Sequence, residues 1–125
     1  MRMGRLILAA VIAATVGIVA IPAAATAAVP PCSSVGVASQ MHGTAIGGSA
    51  DWSGCPAKGW IDIFLQKQTG PFDWTSSETA TNYLLLTKKG HIETATWVPC
   101  TAGYWRVMVI IYYTNQTLFG GYRYC

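Results

Sequence analysis

An all-β sandwich or barrel of antiparallel strands is the fold class this sequence predicts, and three observations predict it. No stretch after residue 28 repeats apolar residues at helical spacing. Short runs rich in aromatic and β-branched residues recur instead, bounded by turn signals, and they suffice for six to eight strands. Four cysteines, Cys32, Cys55, Cys100 and Cys125, are spread through the same region. Disulfides are the usual supplement to the thin core of a small exported chain.

The first 28 residues are read apart from that fold. Met1-Arg2-Met3-Gly4-Arg5 is a short basic segment, and Leu6 to Ile21 follows without a charge. Pro22 ends the run, and small residues follow from Ala23 to Ala28. This is the pattern of a helical secretory signal peptide, with cleavage expected after Ala27 or Ala28. The competing reading is an uncleaved anchor, but 16 apolar residues fall short of the roughly 20 that a spanning helix needs. Residues 1–28 are therefore assigned as signal peptide and 29–125 as one disulfide-stabilised domain. The expected location is secreted or cell surface, with no transmembrane anchor after cleavage.

Cleavage changes the charge. Arg2 and Arg5 leave, so six basic residues face five acidic ones, a net of +1. That balance gives no electrostatic footprint for nucleic acid. All 14 aromatic residues lie beyond residue 28, giving a small domain much apolar area per residue.

The elements follow in order. Val29-Pro30-Pro31 is an extended leader, since prolines remove backbone donors. Val35–Met41 reads as a weak first strand. Gly43 to Gly54 is rich in Gly, Ser and Ala and reads as a loosely specified strand with loop character, anchored by Trp52. Trp60–Gln68 is a strong strand whose core face is Ile61, Ile63 and Leu65, leaving Phe64 on the outer face. Thr69-Gly70-Pro71 signals a turn. Thr75 to Asn82 is weakly patterned. Tyr83–Thr87 and His91–Val98 read as two strands joined at Lys88-Lys89-Gly90. Gly103 to Tyr113 is the densest aromatic and β-branched stretch and reads as the central strand, with Trp105, Val107, Val109 and Ile111 as its core face. Thr114-Asn115-Gln116 then turns the chain into a last segment, Thr117 to Tyr124. Asn115-Gln116-Thr117 matches a glycosylation acceptor, but after a bacterial-looking leader it reads as a hairpin turn.

Four cysteines allow three pairings. A hairpin turning at Gly43 and Thr44 would bring Cys32 and Cys55 to its open end, which favours Cys32–Cys55 with Cys100–Cys125. Cys32–Cys125 with Cys55–Cys100 is the competing arrangement. No C-x-x-C spacing points to zinc or to redox chemistry.

The layout of Cys32, Ser53-Gly54-Cys55, the alternating strand Ile61–Gln66, Cys100-Thr101-Ala102-Gly103-Tyr104-Trp105-Arg106-Val107 and a terminal Cys125 resembles small four-cysteine exported proteins of actinomycetes. The resemblance covers most of 32–125 and rests on loose motifs. It implies an immunoglobulin-like antiparallel β-sandwich and implies no chemistry. Ala102-Gly103-Tyr104 is similar to the corner before the penultimate strand of immunoglobulin-like domains, yet Arg106 stands where those domains bury a residue. A fainter similarity is to two-disulfide β-sandwich amylase inhibitors, whose Trp-Arg-Tyr triplet lies in a turn. Trp105-Arg106-Val107 here lies in an expected strand.

No catalytic motif is present, and the chain reads as a non-enzyme without a cofactor or metal. His42 or His91 with Asp51 or Asp62 is the remaining acid–base combination, and Asp62, Asp73, Glu78 and Glu93 are the carboxylates available for glycoside chemistry. The candidate binding surface is aromatic: Phe72 and Trp74 beside a turn, and Tyr104, Arg106 and Tyr112 on the second face of the central strand. Such residues suit an extracellular protein or a glycan. Three functions follow: a binding or structural module, an inhibitor of a secreted hydrolase such as a protease or amylase, and a carbohydrate-binding module. A rigid protruding loop, with Thr69–Trp74 as its candidate, marks the inhibitor, and coplanar exposed rings mark the carbohydrate module.

Overall fold

A computed structural model describes residues 29–125. The signal peptide expected at residues 1–28 lies outside the described residues. The strands are β1 (Ser34–His42), β2 (Ala45–Ser53), β3 (Trp60–Gln68), β4 (Trp74–Ser76), β5 (Asn82–Leu85), β6 (Lys89–Glu93), β7 (Val98–Pro99), β8 (Tyr104–Ile111), β9 (Gln116–Phe119) and β10 (Arg123–Tyr124). One 3₁₀ turn, Glu78–Ala80, separates β4 from β5. Three of these ten strands have three residues or fewer, and the other seven fall within the expected range. No α-helix occurs among the described residues, and none of their helices is long and apolar enough to cross a membrane.

The strands form two antiparallel sheets. The larger has six strands in the order β9-β8-β3-β4, with β10 also paired to β8 and β5 also paired to β3. The smaller runs β1-β2-β6, with β7 also paired to β2. Strand β8 is paired on both sides, by β3 over Trp105–Ile111 and by β9 over Met108–Ile111, as expected of the central strand.

Alternation sets the core. Ile61, Ile63 and Leu65 of β3 and Val107, Val109 and Ile111 of β8 are fully buried, with Trp105 beside them. Each such aliphatic side chain contributes about 1.5–3 kcal/mol relative to exposure. The smaller sheet answers with Ile46, Ala50 and Trp52 of β2 and Ile92 of β6. The two buried indole N–H groups donate to carbonyls, Trp52 to Thr87 at 2.9 Å and Trp105 to Thr101 at 2.9 Å.

The structure corrects the reading of 43–54. It is a regular nine-residue strand, in register with all of β1 from Ser34↔Ser53 to His42↔Ala45. Its glycines looked like loop residues because the side chains filling their space come from elsewhere. A Cβ on Gly48 would meet the Val107 side chain across the core, and one on Gly47 would lie 2.7 Å from the Trp97 ring. Gly43, with φ 63°, makes the expected turn.

A second correction concerns 83–98. β5 and β6 do not pair as a hairpin, because β5 joins β3 in the larger sheet and β6 joins β2 in the smaller. Lys89 and Gly90 lie inside β6 rather than in a turn, with Gly90 opposite Trp52. A Cβ at Gly90 would lie within 2.4 Å of the Trp52 ring, so the indole occupies that space. Residues 94–97 are not strand.

The disulfides are Cys32–Cys55 and Cys100–Cys125. The first closes the open end of the β1–β2 hairpin. The second ties the entry of β8 to the chain's last residue, where Gly103 and Cys125 exchange backbone hydrogen bonds of 3.1 and 3.0 Å. Loss of either bridge is expected to cost about 2–5 kcal/mol.

Candidate functional site

Residues that share a strand with the core but alternate with it form the outer face of the larger sheet. Directly paired residues share a face, so register assigns this one. Tyr104 lies opposite Tyr124, Arg106 opposite Gln66, Met108 between Phe64 and Phe119, and Gln68 opposite Trp74. Tyr104, Phe119 and Tyr124 are exposed. The outer face is thus aromatic without being covered by any described element of the chain.

Arg106 is its organising residue. Its guanidinium carbon lies 4.1 Å from the Trp74 ring centroid and 4.3 Å from that of Phe119. Its Nε donates to Gln66 Oε1 at 2.7 Å, and Gln66 Nε2 donates to Ser76 Oγ at 3.2 Å. Gln66 is buried, so this chain of bonds fixes the guanidinium from below. Cation–π contact with two rings fixes it from the sides. Tyr122 extends the cluster, 5.4 Å from Trp74 and 6.5 Å from Tyr104, and Tyr104 lies 4.8 Å from Tyr124.

These residues border a cleft of about 610 Å³, lined by Phe72, Trp74, Tyr104, Arg106 and Tyr122 with Gln68 and Pro71. Its rim is the loop between β3 and β4. Thr69 N–H donates to the Asp73 carbonyl at 2.9 Å, Asp73 N–H to the Gly70 carbonyl at 3.3 Å, and Gln68 Nε2 to the Pro71 carbonyl at 3.2 Å. That bracing leaves Phe72 94% exposed at the tip.

Four of the five sequence candidates, Phe72, Trp74, Tyr104 and Arg106, therefore meet in one place. Tyr112 does not. It lies past the other end of β8, where its hydroxyl donates to Asp62 Oδ2 at 3.0 Å. Burial first, and the Asp62 carboxylate second, raise its phenol above the ordinary value. Tyr122, Phe119, Gln66, Gln68 and Pro71 belong to the site although the five sequence candidates did not include them. The hairpin loop at 112–115 sets Phe119 opposite Met108, and the pairing of β3 with β8 sets Gln66 opposite Arg106.

The titratable candidates lie elsewhere. His91, on the outer face of the smaller sheet, contacts Asp51 Oδ1 through Nδ1 at 2.6 Å and Glu93 Oε2 through Nε2 at 2.9 Å. Hydrogen bonds to Glu93 and then Asp51 raise its pKa. With both nitrogens engaged by carboxylates, the ring has none free to take a hydroxyl proton. His42 stacks on Trp97 with centroids 3.7 Å apart. No group of three or more His, Cys, Asp or Glu among the described residues could hold a metal ion. A second, more apolar cleft of about 530 Å³ lies between Trp52, Trp60, Tyr83 and Leu85.

No family model, no curated protein and no solved structure matches this chain.

Proposed function

We propose that this chain is an exported, non-enzymatic, immunoglobulin-like β-sandwich that binds an extracellular protein through the aromatic end of its larger sheet. The observation that carries the reading is the cluster of Phe72, Trp74, Tyr104 and Tyr122 around a fixed arginine. Trp, Tyr and Arg are the residue types that dominate protein–protein hot spots. Such residues on a braced sheet and loop lose little conformational entropy on binding, which favours affinity. The two disulfides suit an oxidising, extracellular setting.

The ring geometry favours a protein over a flat glycan. Interplanar angles of 36°, 55° and 61° in the cluster do not make the coplanar platform that a sugar surface needs. The braced loop carrying Phe72 is the feature expected of an inhibitor of a secreted hydrolase, which is the particular form of this reading that the loop favours.

The test is capture from a culture secretome by wild-type protein and by a Trp74→Ala, Tyr104→Ala variant, with a glycan array run in parallel. The expected result is one captured protein that the variant fails to retain. Empty results from both assays, or equal capture by the variant, would sink the reading.

A further inference from the structure

We propose that the partner presents a carboxylate on an aromatic-flanked peptide segment and that Arg106 receives it in the cleft. This rests on the binding role proposed for the same face and adds the chemistry of its ligand. Both ion pairs among the described residues belong to His91. Arg106 therefore has no carboxylate partner among the described residues, although it is partly buried. Its only hydrogen bond among the described residues runs from Nε to Gln66. The two terminal amino groups, the pair that grips a carboxylate in bidentate fashion, are left without an acceptor.

The surroundings sharpen that group for an anion. The Trp74 and Phe119 rings, with centroids 4.1 and 4.3 Å from the guanidinium carbon, pack against the cation and restrict its motion. A charge-assisted pair formed in such a partly dry cleft is stronger than one at an open surface. Phe72, Tyr104 and Tyr122, on the walls of the cleft, suit aromatic residues flanking the acidic one. A peptide also has a place for its backbone: β4 is an edge strand of the larger sheet, and Trp74 lies on it.

Two capped tripeptides test this, tyrosine-glutamate-tyrosine and its glutamine counterpart, titrated by NMR into the disulfide-bonded chain 29–125 of ¹⁵N-labelled protein secreted from the full-length gene. The expected result is shifts at the Arg106 Nε–H and the Trp74 indole, with the glutamate peptide binding at least about tenfold tighter. Arg106→Met, which keeps the aliphatic stem and removes the guanidinium, should erase that difference, and Arg106→Lys should restore only part of it, with thermal midpoints checked for each. Equal binding of the two peptides at the cleft would overturn the carboxylate and leave the binding face standing. Absence of shifts at the cleft with either peptide up to millimolar concentration would overturn both. A hexuronate trimer that binds more tightly than the glutamate peptide would replace the peptide partner with an acidic glycan.

Discussion

Trp105, Val107, Val109 and Ile111 alternate along β8 with Tyr104, Arg106, Met108 and Ile110, and both sets are rich in apolar groups. The first set is buried against the smaller sheet, whereas in the second Arg106, Met108 and Ile110 are partly buried and Tyr104 is exposed. Apolar character is nearly the same on both faces; what differs is the layer above them. The inner face meets a sheet that offers Gly48 and Ala50, allowing close approach. The outer face meets only its own neighbours, and its cation is stacked and hydrogen-bonded rather than paired. A strand apolar on both sides is usually covered on both. Here one side is left open among the described residues, and that uncovered aromatic patch on a disulfide-braced sheet is the basis of the proposed interaction surface.

Substitutions that separate the two faces should differ most in stability. Ile63→Ala removes a fully buried side chain from the inner face and is expected to lower unfolding free energy by about 2–5 kcal/mol in denaturant titrations. Gly48→Ala should follow at about 1–3 kcal/mol, because the new methyl meets Val107. If that substitution proved neutral, the sheets would not approach as closely as described. Tyr104→Ala, on the outer face, should change stability by no more than about 1 kcal/mol while abolishing partner capture. A large loss of stability there would make the outer aromatics structural.

The smallest effect is electrostatic and belongs to the smaller sheet. The carboxylates of Glu93 and Asp51 raise the His91 pKa above 6.5. The stabilisation is therefore fully present below the unfolded value and is lost as pH rises through the folded one. Thermal midpoints should fall slightly over that window in wild type, and His91→Gln should remove this component of the slope. An unchanged slope would show that the contacts are not felt in solution, as exposed pairs often are not.

Much of this fold was legible because period-two alternation is strong in β3 and β8, where Ile61, Ile63, Leu65 and Trp105 to Ile111 announce their inner face. The Cys32–Cys55 bridge was legible from a different signal, a turn at Gly43 that brings the two cysteines to the open end of a hairpin. β2 was harder to read because its glycines are defined by Trp97 and Val107, residues far away in sequence. The split of β5 and β6 between sheets was illegible because Lys88-Lys89-Gly90 carries a hairpin signal and the chain crosses between layers instead. In the candidate site, Phe72, Trp74, Tyr104 and Arg106 could be named one by one. Their meeting, and the separation of Tyr112 from them, depended on pairing across β3, β4 and β9.

The central claim is that the outer face of the larger sheet is the contact surface. Amide hydrogen exchange of the protein alone and saturated with its captured secretome partner tests that most directly. The account predicts new protection confined to Phe72–Ser76, Tyr104–Met108 and Tyr122–Tyr124. Protection concentrated instead on the outer face of the smaller sheet, around Ala38, Asp51 and His91, would contradict it.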